Sequence, residues 1–380
     1  PRLIDAVARR FTMAVLLIAL GAGLYWWGRD PGQVWPVITA VLIVACPCAL
    51  ALSMPFAYGH TVRWMGKRGL FLRDAEVVER MAHTDLVVFD KTGTLTAREA
   101  HSVAWTGAPL TAVQRSMVRS LARSSTHPLS AVLHAHLRDG LLSAERVHES
   151  PGKGIEGLLH EVPVRIGSAL YCGAKEVERS NGEAVVFVRI GNEVPGHFRI
   201  TKQARAGVVE AVDALHGNVA TALLTGDDRV AEELAKHFRP EDIRTGCSPA
   251  DKSRFIAERQ EAGHRVMMVG DGLNDAAALG RSDVGITVTE TSAALTPASD
   301  AILDADAIAR LPQFLHMARR ARRIVFASLG ISLCYNVVGV SLAVAGQMSP
   351  LIAAVLMPLS SVSVVGFVTL AVWLGGRRAS

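Results

Sequence analysis

Four long, nearly uncharged runs, residues 11–27, 34–54, roughly 324–345 and roughly 349–374, frame a stretch of ordinary soluble composition from 55 to 323. Each approaches or exceeds the roughly 20 residues that a helix needs to cross a bilayer. The layout predicts two membrane hairpins, one on each side of a large soluble insert. A buried core helix is the competing reading of any single run, most of all of the first. At 380 residues the chain exceeds what one hydrophobic core usually serves, so more than one domain is expected.

Charge placement favours the membrane reading. Arg9, Arg10, Arg63, Lys67, Arg68, Arg319, Arg320, Arg322 and Arg323 crowd the ends that face the insert, and Arg377 and Arg378 lie in the tail. The hairpin turns GRDPGQ and GQMSP are short and nearly neutral. By the positive-inside rule the insert and both termini are cytoplasmic, as in an integral protein of a bacterial plasma membrane. The net charge of +5 is then mostly topological, and no nucleic-acid surface is expected. The first run lacks the ordered n-region and cleavage site of a signal peptide. A start at Pro1 is expected to mark a fragment. Of five cysteines, Cys46 and Cys48 lie within an apolar run and the others are scattered, which argues against a disulfide framework.

Within the insert, short β-rich apolar runs alternate with helical patterns, the signature of a parallel sheet with crossover helices. LVVFD ends on Asp90. TALLTGD ends on Thr225, Gly226 and Asp227, and RVMMVGDGLND on Asp271, Asn274 and Asp275. CSPADK sets Lys252 near the start of a helix. Ligands of open α/β sheets bind beyond the carboxyl ends of the strands, so these groups should meet. Carboxylates can hold Mg²⁺, while lysine, hydroxyl and backbone N–H groups neutralise a transferring phosphoryl group. An aspartate can attack phosphorus and carry it as an acyl phosphate. Each Asp taken singly reads as a turn or cap residue, but their recurrence at successive strand ends argues for a shared site.

DKTGTLT at 90–96, TGDD at 225–228 and GDGLNDAAAL at 270–279 resemble the phosphorylation and hinge motifs of P-type ATPases. The resemblance implies a haloacid-dehalogenase-like α/β phosphorylation domain with an inserted α+β nucleotide-binding domain, flanked by transmembrane helices. It implies Asp90 as the phosphorylated nucleophile, and Thr92, Asp271 and Asp275 with Asp90 in the Mg²⁺ site. It places Thr225 and Lys252 on the phosphate, with Lys91, Gly226, Asp227 and Asn274 in the same motifs. Phosphatases of this fold usually carry a second aspartate two positions after the nucleophile. Thr92 stands there, so the phosphoenzyme is expected to hydrolyse slowly, as a pump needs.

Residues 98–200 read as a separate α+β lobe containing STHPLS at 125–130 and PGKGIEG at 151–157. The latter matches G-x-G-x-x-G, but AERVHES before it is not a convincing strand, and no Walker-type loop occurs. A lone surface histidine is the bland reading of His127. Similarity to the heavy-metal branch of the pumps implies instead that His127, Gly152 and Gly154 line the adenine pocket for ATP. Thr126 replaces a glutamate common in that branch.

In ACPCAL, Pro47 removes one backbone bond and frees the carbonyl of Ile43. Such breaks at membrane depth often mark binding sites. The flanking thiols of Cys46 and Cys48 are soft ligands, suited to Cu(I) and less decisively to Zn²⁺; packing cysteines around a kink are the alternative. Tyr335 and Asn336, then Met357, Ser360 and Ser361 on one helix face, complete the candidates, with lipid-facing packing the alternative for Met357. CPC with YN and MxxSS resembles the copper(I) subgroup, although Ser328 and Ser341 stand where that subgroup often has asparagine and proline.

The expected layout is membrane helices in 1–80 and 313–380, the phosphorylation domain in 81–97 and 201–312, and the nucleotide lobe in 98–200. The family's actuator domain with its TGE loop is absent, so the full cycle should need a missing N-terminal part. The resemblance also implies membrane lipid and a copper chaperone as partners. A Zn²⁺/Cd²⁺/Pb²⁺ pump, a membrane-tethered phosphatase and a degenerate partner protein are the rival readings.

Overall fold

The computed structural model describes residues 2–45, 48–178, 183–272, 274–290 and 299–378. They form two compact units, one from the chain up to Thr84 and from Ser299 onward, the other from Asp85–Glu290.

The first unit is built on the helices Arg2–Trp27, Val34–Val44, Cys48–Gly66, Leu311–Val344 and Pro350–Arg378. Its surface inverts the usual rule, since Leu17, Leu24, Leu351 and Val362 are each more than two-thirds exposed. Where the apolar helices meet, the contacts are mostly small: Ala19, Ala22, Ala40, Ala343 and Ala353 pack with Val37 and Val41. Small residues at the contacts and large apolar ones outside are what helices in lipid require, where association depends on close packing. Among the described residues, two stretches are long and apolar enough to cross a membrane, within Ala305–Val344 and Pro350–Gly375. The first apolar run is the end of a longer helix, with Thr12–Trp27 as its apolar part. The second is divided. Its first helix stops at Val44, with Ala45 N–H bonded back to Val41 O, and the next begins at Cys48. Cys46, Pro47 and the Cys48 side chain lie outside the described residues. A two-stranded antiparallel pair, Leu70–Leu72 with Ala301–Asp304, also belongs to this unit, and Arg80 forks onto the Asp300 carboxylate beside it at 3.0 and 2.9 Å.

The second unit holds two sheets. The parallel one runs in the order Val284–Thr289, Val266–Gly270, Leu86–Asp90, Ala220–Leu224, Ile243–Arg244. The Asp90 strand, central in this row, and its neighbour Val266–Gly270 are buried at every position. Strands covered on both faces read as continuous apolar runs rather than alternating ones, which is why LVVFD and VMMVG stand out. Phe255 and Ile256 of the helix Pro249–Glu261, with Ala278 and Leu279, pack onto Leu86, Val88, Ala222, Leu224 and Met268.

The other sheet is antiparallel and six-stranded, in the order Thr96–Gly107, Glu193–Ala204, Glu183–Ile190, Val162–Gly167, Gly154–Leu159, Ala144–Ser150. Its first and last strands in the chain pair at Thr96 and Ala204, so the lobe leaves and rejoins the parallel sheet at neighbouring points. The helices Ala112–Arg123 and Pro128–His136 contribute Val118, Leu121 and Leu133 to its core. One expectation fails here: AERVHES is a strand. It is the sheet's edge, exposed along most of its length, so its sequence carries no apolar alternation.

Candidate active site

The register of the parallel sheet brings the motif residues together. Asp90 lies opposite Leu224 on one side, and Phe89 opposite Val269 on the other. Thr225 and Asp271 therefore follow just beyond the same end of neighbouring strands. Lys252 arrives from the helix Pro249–Glu261, whose start is fixed by a reciprocal cap: Ser248 Oγ accepts from Asp251 N, and Asp251 accepts from Ser248 N.

The Lys252 ammonium donates to Asp90 Oδ1 at 2.5 Å and to Asp275 Oδ1 at 2.7 Å, and all three side chains are buried. Burial pushes the Asp90 carboxyl up to about 7; Asp275 adds to the rise, while Lys252 opposes it. Burial disfavours the Lys252 charge, but the two carboxylates hold its pKa above the ordinary value. Asp275 Oδ2 is buried with no hydrogen-bond partner among the described residues, and so is Thr94 Oγ1. Gly270 makes room for that carboxylate, because a Cβ there would stand 2.7 Å from Asp275 Oδ2.

The remaining motif residues surround this core. Lys91 is buried and paired with Asp227. Thr225 is fully buried and its hydroxyl accepts from Asp227 N at 3.1 Å, while Cys247 N donates to Thr225 O. Gly226 sits in the same turn, where a Cβ would lie 3.4 Å from Cys247 O. Thr92 is half-buried in the turn after Asp90. Asn274 is exposed and donates its backbone N–H to Asp271 Oδ1.

Arg205 is a residue that the motifs do not mark. Its guanidinium, about one-tenth exposed, donates to Thr94 O at 2.8 Å, Gly93 O at 3.0 Å and Glu290 Oε1 at 2.8 Å. It clamps the loop after Asp90 from the chain segment where the inserted lobe returns. Arg205→Ala should loosen this loop, raising amide hydrogen exchange across residues 91–95 severalfold while the core of the inserted lobe is unchanged, because local opening follows the loss of the contacts that hold a segment. Hydrogen-exchange mass spectrometry on the two proteins checks this.

No group of three His, Cys, Asp or Glu side chains is assembled as a complete metal cage among the described residues. The donor chemistry nonetheless fits Mg²⁺, which keeps several waters and takes only one or two carboxylates. An orphaned buried carboxylate oxygen at Asp275, beside Asp90 and close in sequence to Asp271, is the observation that supports the fit.

In the antiparallel lobe, His127, Gly152 and Gly154 line one cleft of about 230 Å³. Apolar Ile155, Ile166, Val185 and Val186 contribute to it, alongside Ser125, Glu149, Lys153 and Ser168. His127 caps the helix Pro128–His136, its Nδ1 accepting from Leu129 N at 3.2 Å, and its own N–H donates to Ser125 Oγ. Ser125 in turn donates to Glu149 Oε1 at 2.6 Å. Gly154 is required by packing: a Cβ there would lie 2.3 Å from Ile166 O, where its strand pairs with the next at Gly167. Glu149 belongs to the edge strand that the sequence did not show.

In the helical unit, Tyr335, Asn336, Met357 and Ser360 line a second cavity of about 350 Å³, together with Met348. Ser360 and Ser361 both donate their hydroxyls to Met357 O. Among the described residues, no acidic or basic side chain lines this cavity. Met348 lies in the turn between the last two helices and escaped the sequence reading.

Comparison with known proteins fits this geometry. Residues 84–283 match the family model of haloacid dehalogenase-like hydrolases. The chain is 34% identical to nitrogen fixation protein FixI of Rhizobium leguminosarum bv. viciae and 32% identical to the copper-exporting P-type ATPase of Staphylococcus haemolyticus. In each case 96% of this chain aligns with 48% of the relative, so it spans about half the length of the curated relatives it matches. A crystal structure of a zinc-transporting PIB-type ATPase in an E2.Pi state superposes with a TM-score of 0.86 at 24% identity, covering 98% of this chain and 64% of that one. At that identity the likeness speaks for the fold.

Proposed function

Because this chain belongs to the haloacid dehalogenase-like hydrolases, and within them to the heavy-metal P-type ATPases, we propose that it is the ATP-consuming, ion-conducting part of a copper(I) exporter. The observation that carries the reading is the buried triad of Asp90, Lys252 and Asp275 at the end of the parallel sheet.

Asp90 attacks the γ-phosphorus of ATP, the bond to the β,γ-bridging oxygen breaks, and ADP departs, leaving an aspartyl phosphate. Lys252 offers positive charge to the transferring group from a site with little water, where such charge is most effective. Asp275 keeps the ammonium aimed and charged. Thr225 and the turn around Gly226 offer a hydroxyl and N–H groups to the phosphate. Mg²⁺, held by Asp90, Thr92 and Asp271 with Asp275 beside them, would neutralise phosphate charge when bound. Thr92 cannot act as a carboxylate base, so the acyl phosphate persists while the membrane unit changes shape. ATP sits in the cleft of His127, Gly152 and Gly154, with Glu149 supplying a carboxylate there. The protein is integral to the membrane with this machinery on the cytoplasmic side.

The cavity of Tyr335, Asn336 and Met357 supports a soft ion. Two thioethers and no charged group suit Cu(I), whereas a divalent ion would lack the carboxylate that offsets its charge. Cys46 and Cys48 are proposed to complete this route. A full-length preparation should show ATPase activity stimulated by Cu(I) and not by Zn²⁺. Met357→Leu, which keeps the volume and removes the sulfur, should weaken Cu(I) stimulation by at least about tenfold, the scale of losing an interaction around a metal site. Stimulation by Zn²⁺ alone would overturn the copper assignment and leave the ATPase reading intact. Rapid turnover of a small phosphomonoester with no stable phosphoenzyme would favour a phosphatase.

A further inference from the structure

At the end of the helix Cys48–Gly66 and in the turn that follows, His60, Arg63, Trp64 and Lys67 recur at the spacing that lays side chains on one helix face. They face Gly366 and Trp373 of the helix Pro350–Arg378 across a groove of about 800 Å³, which Arg68 also lines. The groove is chemically one-sided: among the described residues its walls carry three permanent cations, Arg63, Lys67 and Arg68, and no carboxylate. Arg63 and Lys67 are exposed. The Arg68 guanidinium stands 4.2 Å from the centre of the Trp64 ring, and Trp64 meets Phe314 edge-on at 6.1 Å, so this wall is held in place. At Gly366 an added Cβ would meet nothing within 4 Å, which leaves the floor bare.

The groove's depth follows from the chain. Both helices end here on the side from which the first leads on to Asp85 and the catalytic unit, the cytoplasmic side. Tryptophan and basic residues at such an end mark the headgroup level. Below it, Val355 and Val362 present apolar surface outward. Cations gathered between membrane helices without acids repel one another, and basic pockets of this kind on the cytoplasmic side take anionic headgroups.

We infer that this groove seats the headgroup phosphate of an anionic glycerophospholipid from the cytoplasmic leaflet, its acyl chains lying along the outward apolar face of Pro350–Arg378. A zwitterionic lipid carries its own ammonium into the cationic site and gains less. The inference rests on membrane insertion and is independent of which ion is transported.

The test uses the full-length protein in nanodiscs containing a fixed fraction of brominated phosphatidylglycerol or brominated phosphatidylcholine, with tryptophan fluorescence as the readout. Quenching by the anionic lipid should exceed that by the zwitterionic one, and the excess should shrink in Trp373→Phe, which leaves Trp64 as the one other tryptophan in the groove wall. Arg63→Gln with Lys67→Gln should weaken the preference by roughly tenfold or more, since each basic side chain near an anionic headgroup contributes about a factor of five. Gly366→Leu, which fills the groove and leaves every charge in place, should also abolish the excess. Equal quenching by the two lipids, as would follow if another polypeptide segment occupied the groove, overturns the inference. So does an excess that survives both variants, or one that millimolar inorganic phosphate removes, which would make the site one for soluble anions.

Discussion

Asp90→Asn should leave the protein folded and unable to accept label from the γ-phosphate of ATP. The carboxamide matches the carboxylate in shape but is not a nucleophile, and removing the nucleophile of a covalent mechanism lowers turnover by at least about 10⁴-fold. Acid-quenched labelling with γ-labelled ATP reads this directly, and unchanged nucleotide binding in the same preparation excludes loss of the lobe. Stability gives the independent check. Lys252 keeps Asp275 as its partner, so the substitution strands no buried charge. The Asp90 carboxyl, raised by burial to about 7 from the ordinary aspartate range near 3.8, contributes stability that is fully present below about 4 and is lost as pH rises through about 7. The asparagine variant escapes that loss. In Mg²⁺-free buffer its melting temperature should therefore gain on the native protein's between about pH 4 and pH 7, an order opposite to that of a variant that fails by unfolding. Undiminished labelling of the variant would move the nucleophile elsewhere.

What the sequence could reveal about this site follows from how the site is made. Asp90, Thr225 and Asp271 lie at the ends of strands whose burial on both faces makes them conspicuous, so a one-dimensional pattern locates them and the rules of parallel sheets bring them together. Lys252 is legible for a different reason, since Ser248, Pro249 and Asp251 announce a helix start. Arg205 carries no such mark. Its partners are the carbonyls of Gly93 and Thr94, more than a hundred residues earlier, and backbone acceptors have no sequence identity to recognise. Glu149 is hidden because an exposed edge strand has no apolar face to alternate, and Met348 because a turn residue gives no periodic signal. In the membrane unit the apolar runs were visible, but composition alone does not place the end of one helix at Val44 and the start of the next at Cys48.

Lys252→Met should have the largest effect on stability, and that effect should be repaired by a second substitution that does nothing for activity. Removing the ammonium leaves the Asp90 and Asp275 carboxylates buried together, and breaking a buried ion pair from one side costs about 3–5 kcal/mol. The variant loses the one group that lowers the Asp90 pKa by attraction, so the carboxyl should rise further, and the loss should be greatest in alkaline solution and shrink as the pH falls and a proton replaces the lysine. Adding Asp275→Asn removes one of the two like charges, so the double variant should recover most of the lost stability. The effects of the two substitutions should thus be strongly non-additive, as expected for groups in one network. Phosphorylation of Asp90 should stay low in both, because neither restores positive charge beside the transferring phosphoryl group. Chemical denaturation at pH 6 and pH 8, paired with phosphoenzyme assays on the same samples, separates the two roles. Additive stability effects would mean that Lys252 is held by contacts other than these carboxylates, and recovery of phosphorylation in the double variant would show that it serves the fold and not the transfer.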